Sequence, residues 1–156
     1  MTEYVLGFAY CKDYAECYRV LLIRKNKPAW QAGHLNGIGG KVELGDPNPQ
    51  WALSREFKEG CGLEQRPEQW LNFAILEFPG VAKIYCFASW WEWKLFKTAH
   101  TMTDEEICSI GLDGIMDEPK ALANLPWLIP MGLKAWCTPG PKILKIVEVE
   151  GCGFAT

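Results

Sequence analysis

Gly39–Leu63, GGKVELGDPNPQWALSREFKEGCGL, joins a glycine turn, an acidic loop and a short helix. The helix is well punctuated. Asn48 suits the N-cap, where a short side-chain oxygen accepts from a backbone N–H of the first turn. Pro49 suits the first helical position, where its missing N–H is not needed. Gly62 can take the left-handed conformation that ends a helix, with Leu63 closing over it. Leu53, Phe57 and Cys61 recur every four residues and form an apolar face for a core. Glu56 and Glu59 lie three apart on a neighbouring face, and Arg55 lies four before Glu59, spaced to orient its carboxylate. Just upstream, the glycines of Leu35–Val42, LNGIGGKV, permit positive φ and a close approach of backbone to ligand.

Two carboxylates one helical turn apart can face one ion cluster. Mg²⁺ takes oxygen ligands in near-octahedral geometry, usually one or two carboxylates completed by water and substrate phosphates. A carbonyl of Gly39 or Gly40 would add a neutral oxygen. Ions held this way neutralise a diphosphate, position water and stabilise the leaving phosphate.

The rest of the chain sets limits. Its 156 residues suit a single domain, 1–156, with a proper core. Apolar residues at 49% and charged residues at 22% are ordinary for a soluble globular protein. A net charge of −3 argues against polynucleotide binding, which relies on clustered Lys and Arg. Seven cysteines, an odd number without CxxC spacing, read as reduced thiols, mostly buried. The start, MTEYVLGFAY, lacks the pattern of a signal peptide, and no apolar run approaches a membrane span. A cytoplasmic protein without membrane contact is expected. The oligomeric state is open, a homodimer included.

In chain order, Tyr4–Tyr10 and Tyr18–Arg24 read as strands, and Lys25–His34 as a loop with turn chemistry. Trp30 in that loop either covers the core edge or flanks a substrate. Leu71–Phe78 and Lys83–Trp93 read as strands about a Pro79-Gly80 turn. The second is unusually aromatic, which fits either a buried strand with a covered sheet edge or rings beside a base-binding cleft. TDEEI, Thr103–Ile107, brings three carboxylates to the entry of a strand over Ile107–Leu112. A helix is expected from about Trp127, a turn at Pro139–Pro141 and a last strand over Lys142–Glu150. His34 could meet a phosphate ahead of the glycine turn, but it and His100 lack spaced partners and read as surface residues. Strands flanking two helices indicate an α/β/α sandwich around a mixed β-sheet.

The opening stretch resembles the Nudix (MutT-like) box, G-x5-E-x7-R-E-U-x-E-E-x-G-U, in which U is a bulky apolar residue. Gly40 matches the first glycine, and Asp46 stands where the first Glu belongs. One extra residue precedes Arg55, after which Arg55, Glu56, Phe57, Glu59, Gly62 and Leu63 match in register. Gly60 replaces the second Glu of the E-E pair, a position that usually supplies a principal metal carboxylate in the family. The resemblance implies a Nudix α/β/α fold and hydrolysis of a nucleoside diphosphate linked to some group X, with Mg²⁺ or Mn²⁺.

On that resemblance Glu56 and Glu59 bind metal, Gly39 or Gly40 lends a carbonyl, and Arg55 orients a glutamate. Glu105, in the acidic loop, is the best extra ligand, and it or Glu59 activates water. LNGIGGKV is also similar to the WNGFGGKV of Nudix enzymes that hydrolyse oxidised purine triphosphates. This puts Asn36, Gly39, Gly40 and Lys41 on the substrate side, with Asn36 either contacting a base or supporting a turn. Asn124, just before the last helix, is a looser match to a second base contact. A nucleoside triphosphate, oxidised forms included, is the expected substrate, giving monophosphate and pyrophosphate. Pro79 competes by hinting at ADP-ribose hydrolases, although a hairpin turn explains it too. Gly60 motivates a different reading, a degenerate Nudix domain that binds a nucleotide or a protein partner without turnover.

Overall fold

Alternation along the first strand organises the molecule. In β1 (Thr2–Lys12), Val5, Ala9 and Cys11 enter one buried cluster, while Leu6, Phe8 and Tyr10 enter another. A strand exposes successive side chains on opposite faces, so β1 is covered on both sides. In the computed structural model, which describes residues 1–140 and 143–147, eight strands form one mixed sheet around it. They are β1, β2 (Tyr18–Arg24), β3 (Leu35–Asn36), β4 (Ile38–Lys41), β5 (Leu71–Phe78), β6 (Ala82–Trp90), β7 (Ile107–Gly111) and β8 (Leu144–Val147). β1 pairs in parallel with β6 on one side. Its other edge is shared by two antiparallel strands, β4 opposite Tyr4–Gly7 and β2 opposite Tyr10–Lys12. β7 lies on the far side of β2, and β5 joins the antiparallel hairpin with β6 to β8.

Among the described residues, three α-helices complete the layers: α1 (Pro49–Cys61), α2 (Trp93–Phe96) and α3 (Leu125–Cys137). Ala52, Leu53, Phe57 and Cys61 of α1 and Phe96 of α2 belong to the Val5 cluster, and Leu125, Leu128 and Ile129 of α3 to the Phe8 cluster. The α/β/α sandwich around a mixed sheet is thus observed. No helix among the described residues is long and apolar enough to cross a membrane.

Several boundaries differ from the sequence reading. β6 stops at Trp90, where its register with Tyr10 ends, instead of running to Trp93. Trp91 then donates its backbone N–H to the Tyr10 carbonyl, and its ring stacks on Phe57 at 6.4 Å. Trp93 opens α2 and stacks on Phe96 at 5.9 Å. The aromatic run therefore leaves the sheet to wall the α1 core. β1 is longer than Tyr4–Tyr10 because β6 supports it from Thr2 onward. β7 ends at Gly111, one residue short of Leu112, which starts a 3₁₀ turn.

α3 begins at Leu125, two residues ahead of Trp127, since Leu128 N–H already bonds to the Asn124 carbonyl at 2.9 Å. The buried Tyr10 hydroxyl donates to the Ile129 carbonyl of α3 at 2.7 Å. Gly132 makes room for it, because a Cβ there would collide with that hydroxyl and with Phe73. Of the last expected strand, Leu144–Val147 is observed, while Lys142 and residues 148–150 lie outside the described residues, as does Pro141 of the expected turn. Among the six described cysteines, all free, Cys11, Cys61 and Cys86 are buried and Cys17 and Cys137 exposed, so the thiols are less uniformly buried than expected. Cys152 lies outside the described residues.

Candidate functional site

β2 and β4 share one edge of β1 and diverge from it, and α1 lies against β4 and β1. Where they part there is a cavity of about 100 Å³, lined among others by Lys25, Gly39, Glu56, Glu59, Gly60 and Glu105.

α1 is built as its punctuation predicts. The Asn48 side chain accepts from Trp51 N–H at 3.0 Å, and Gly62 takes the left-handed conformation at φ 80°. Burying Leu53 and Phe57 holds the helix to the sheet, each contributing roughly 1.5–3 kcal/mol. That docking turns Glu56 back onto β4. A Cβ on Gly40 would fall inside contact with the Glu56 carboxylate, so the carboxylate rests on bare backbone. Gly39 has a different reason: a Cβ there would strike the Val5 carbonyl of β1. Neither glycine has positive φ, so close packing inside the protein, and not a left-handed turn, requires them.

Arg55 is the electrostatic hub. It makes two bonds to Asp46, at 3.2 and 2.8 Å, a third to Glu56 Oε1 at 2.8 Å and a fourth to the Lys41 carbonyl at 3.2 Å. Glu43 stands 3.7 Å and Glu59 3.9 Å from its Nη1. The spacing rule pointed Arg55 at Glu59, but its close bond is to Glu56, because the Glu59 side chain is 62% exposed and reaches toward solvent. Bonding to Arg55 holds the Asp46 carboxyl below the usual range. Burial pushes Glu56 up, with Arg55 opposing and Glu59 and Glu43 adding like charge.

Glu105 is the one buried acid of its loop; Asp104 and Glu106 are exposed. It accepts from Lys25 Nζ at 2.9 Å through one oxygen and from Asn26 N–H at 2.6 Å through the other. Lys25 was missed because Lys-Asn-Lys-Pro reads as loop. Its signal was position, directly after the last residue of a central strand.

On the substrate side, the Asn36 side chain accepts from Gly37 N–H at 2.8 Å and donates to Gln31 at 3.2 Å, so it braces the turn. The Asn124 side-chain oxygen, Oδ1, is buried without a protein partner. The two asparagines belong to one corner, since Leu122 N–H bonds to the Leu35 carbonyl at 3.1 Å and Leu35 N–H to Lys120. Lys41 ends β4 with an exposed side chain. Trp30, on a 3₁₀ turn, is 59% exposed and does not cover the core edge. Pro79 lies in the β5–β6 hairpin turn, which Gly80 closes at φ 73°. His100 is exposed as expected, whereas His34 is half-buried, with Nδ1 enclosed and unpartnered.

Among the described residues, no three His, Cys, Asp or Glu side chains group closely enough to hold a metal ion together. A site of two carboxylates completed by water and phosphate is a lesser demand. Glu56 and Glu59 meet it, both lying within 3.9 Å of one guanidinium nitrogen and lining one cavity.

No protein-family model matches the sequence, and no curated protein matches it. Solved structures do resemble the fold. The NUDIX domain of Shewanella oneidensis NrtR, a cocrystal with ADP ribose, superposes with a TM-score of 0.71 at 11% identity, covering 86% of this chain and 87% of that one. A structure from work on MutT of Aliivibrio salmonicida and Vibrio cholerae gives 0.63 at 17% identity, over 85% and 98%. A MutT/nudix family protein from Enterococcus faecalis gives 0.63 at 16% identity over 70% of this chain, which spans only 43% of that one. The chain has the Nudix fold.

Proposed function

We propose that this chain is a Nudix hydrolase that uses Mg²⁺ or Mn²⁺ to hydrolyse a nucleoside triphosphate, oxidised forms included, to monophosphate and pyrophosphate. The observation that carries this reading is the Glu56 carboxylate, held by Arg55 and seated on the bare backbone of Gly40 beside an acidic cavity. Bound there, the metal ion supplies charge neutralisation of the diphosphate and a more acidic water. Glu56 and Glu59 are the residues to hold it, with a Gly39 or Gly40 carbonyl beside them. Arg55 fixes the orientation of Glu56 and favours its charged form against burial. Glu59, with most of its side chain in solvent, is the acid free to take a proton from water, since both Glu105 oxygens are engaged. The unpartnered Asn124 Oδ1 would supply an acceptor for the edge of a base, and the Asn36 amide, one N–H of which goes to Gln31, would supply a donor through its other N–H.

A second reading has its own observation. Gly60 contributes no carboxylate, and the described residues lack a three-ligand group, which favours a domain that binds nucleotides without turnover. One assay separates the two: release of phosphate or pyrophosphate from nucleoside triphosphates, oxidised nucleotides, ADP-ribose and dinucleoside polyphosphates, with Mg²⁺ or Mn²⁺. Hydrolysis of a triphosphate, abolished by Glu56→Gln, is expected. Nucleotide binding without release of product supports the binding domain, full activity in Glu56→Gln removes the residue assignment, and preference for ADP-ribose changes the substrate class.

A further inference from the structure

The cavity beside Gly60 already contains a cation of the protein's own. Lys25 Nζ lies 2.9 Å from Glu105 Oε1, with only 18% of the lysine side chain and 12% of the glutamate side chain exposed. Both residues line the same cavity as Glu56, Glu59 and Gly60. The pair is pinned from both ends. The Lys25 backbone closes its loop through bonds to His34 and Gly33, each at 2.8 Å. Across the pair, Asn26 donates its N–H to Glu105 and its side-chain amide to the Asp104 carbonyl, while Glu105 N–H is capped by Thr103. Gly60 sends no side chain into the space; a Cβ there would meet only Ile38, at 3.2 Å.

We infer that Lys25 is a tethered counter-ion, its ammonium standing in for a second divalent cation, so that the site takes one metal ion per chain. The inference rests on the metal-binding part of the reading above. Charge is the argument. Three carboxylates and one ammonium line the cavity, leaving two negative charges, which a single divalent ion cancels. The Arg55 charge is matched by Asp46, to which it makes two bonds, and Glu43, 3.7 Å from it, is 65% exposed and screened by solvent. A second ion on Glu105 would stand beside the Lys25 ammonium, a like-charge contact in a partly desolvated site. Glu59, the well-exposed carboxylate of the cavity, stands 3.9 Å from Arg55.

The test counts Mn²⁺ bound to the purified chain without nucleotide, by electron paramagnetic resonance of the free ion. Wild type, Lys25→Gln and Lys25→Arg are compared, with thermal melts to confirm folding. One Mn²⁺ per chain is expected for wild type and Lys25→Arg, doubling to two for Lys25→Gln. Two ions in wild type, or one in folded Lys25→Gln, overturn the inference. Should Lys25→Gln fail to fold, Lys25→Met keeps the apolar stem and is held to the same outcome. Wild-type protein that hydrolyses nothing but takes up one Mn²⁺ and gains a second in Lys25→Gln loses the proposed reaction and keeps the inference. Protein that takes up no Mn²⁺ loses both.

Discussion

Three glycines around the cavity differ in what their missing side chains do. Gly39 admits the β1 backbone, Gly40 admits the Glu56 carboxylate, and Gly60 leaves space beside the Lys25–Glu105 pair. Gly40→Ala should therefore push Glu56 off its seat, lowering Mn²⁺ affinity about 10–100-fold, the usual effect of disturbing what orients a ligand. Overpacking should cost about 1–3 kcal/mol of stability in urea unfolding; unchanged metal affinity would show that Glu56 does not depend on Gly40. Asp46 carries a pH dependence. Its carboxyl is held below the usual range by Arg55, so the stability it contributes is present above its unfolded pKa and lost as pH falls through the lower folded one. The window lies at and below about pH 4. Asp46→Asn should flatten the acid limb of the stability curve there and leave the neutral region comparatively level. An acid limb coincident with wild type would mean that the Asp46–Arg55 contact is energetically silent.

At the scale of elements, α1 and α3 contrast. α1 carried its own start, stop and apolar face in local residues, and its bounds follow from Asn48, Pro49 and Gly62. α3 has a proline inside it and an N-cap asparagine that makes no capping bond. Its middle is tied instead to a hydroxyl from another element, Tyr10 of β1, which donates to the Ile129 carbonyl. Tyr10→Phe should remove this bond between elements, at a cost of about 0.5–1.5 kcal/mol by chemical denaturation. A neutral result would mean that α3 closes this bond within itself. No local pattern could have announced the contact, since its partners are separated by 119 residues.

For the whole molecule, the sheet separates two cores. Phe57 belongs to the cluster under α1 and Leu128 to the cluster under α3. Truncating either to Ala should cost roughly 2–5 kcal/mol. Because the sheet stands between them, the double variant should lose the sum to within about 0.5 kcal/mol. A larger coupling in a double-mutant cycle would show that the two layers respond as one.

The legible parts of this protein were those governed by local chemistry. Tyr18–Arg24 and Leu71–Phe78 were read to the residue from apolar, β-branched and aromatic runs, as was α1 from its caps. Glu56, Glu59 and Gly40 could be singled out from spacing and the box they resemble, because one helical turn and one glycine are short-range facts. What spacing could not settle was which carboxylate Arg55 grips, why Gly39 and Gly40 must lack side chains, or that Glu105 meets a lysine. Each depends on where β1, β2 and the acidic loop pass, and those paths are decided by burial on both faces of the sheet. The sequence by itself determined the helix, its acidic row and the gap at Gly60; only the tertiary structure placed the Lys25 ammonium beside that gap, since strand pairing brings together residues 80 apart in the chain.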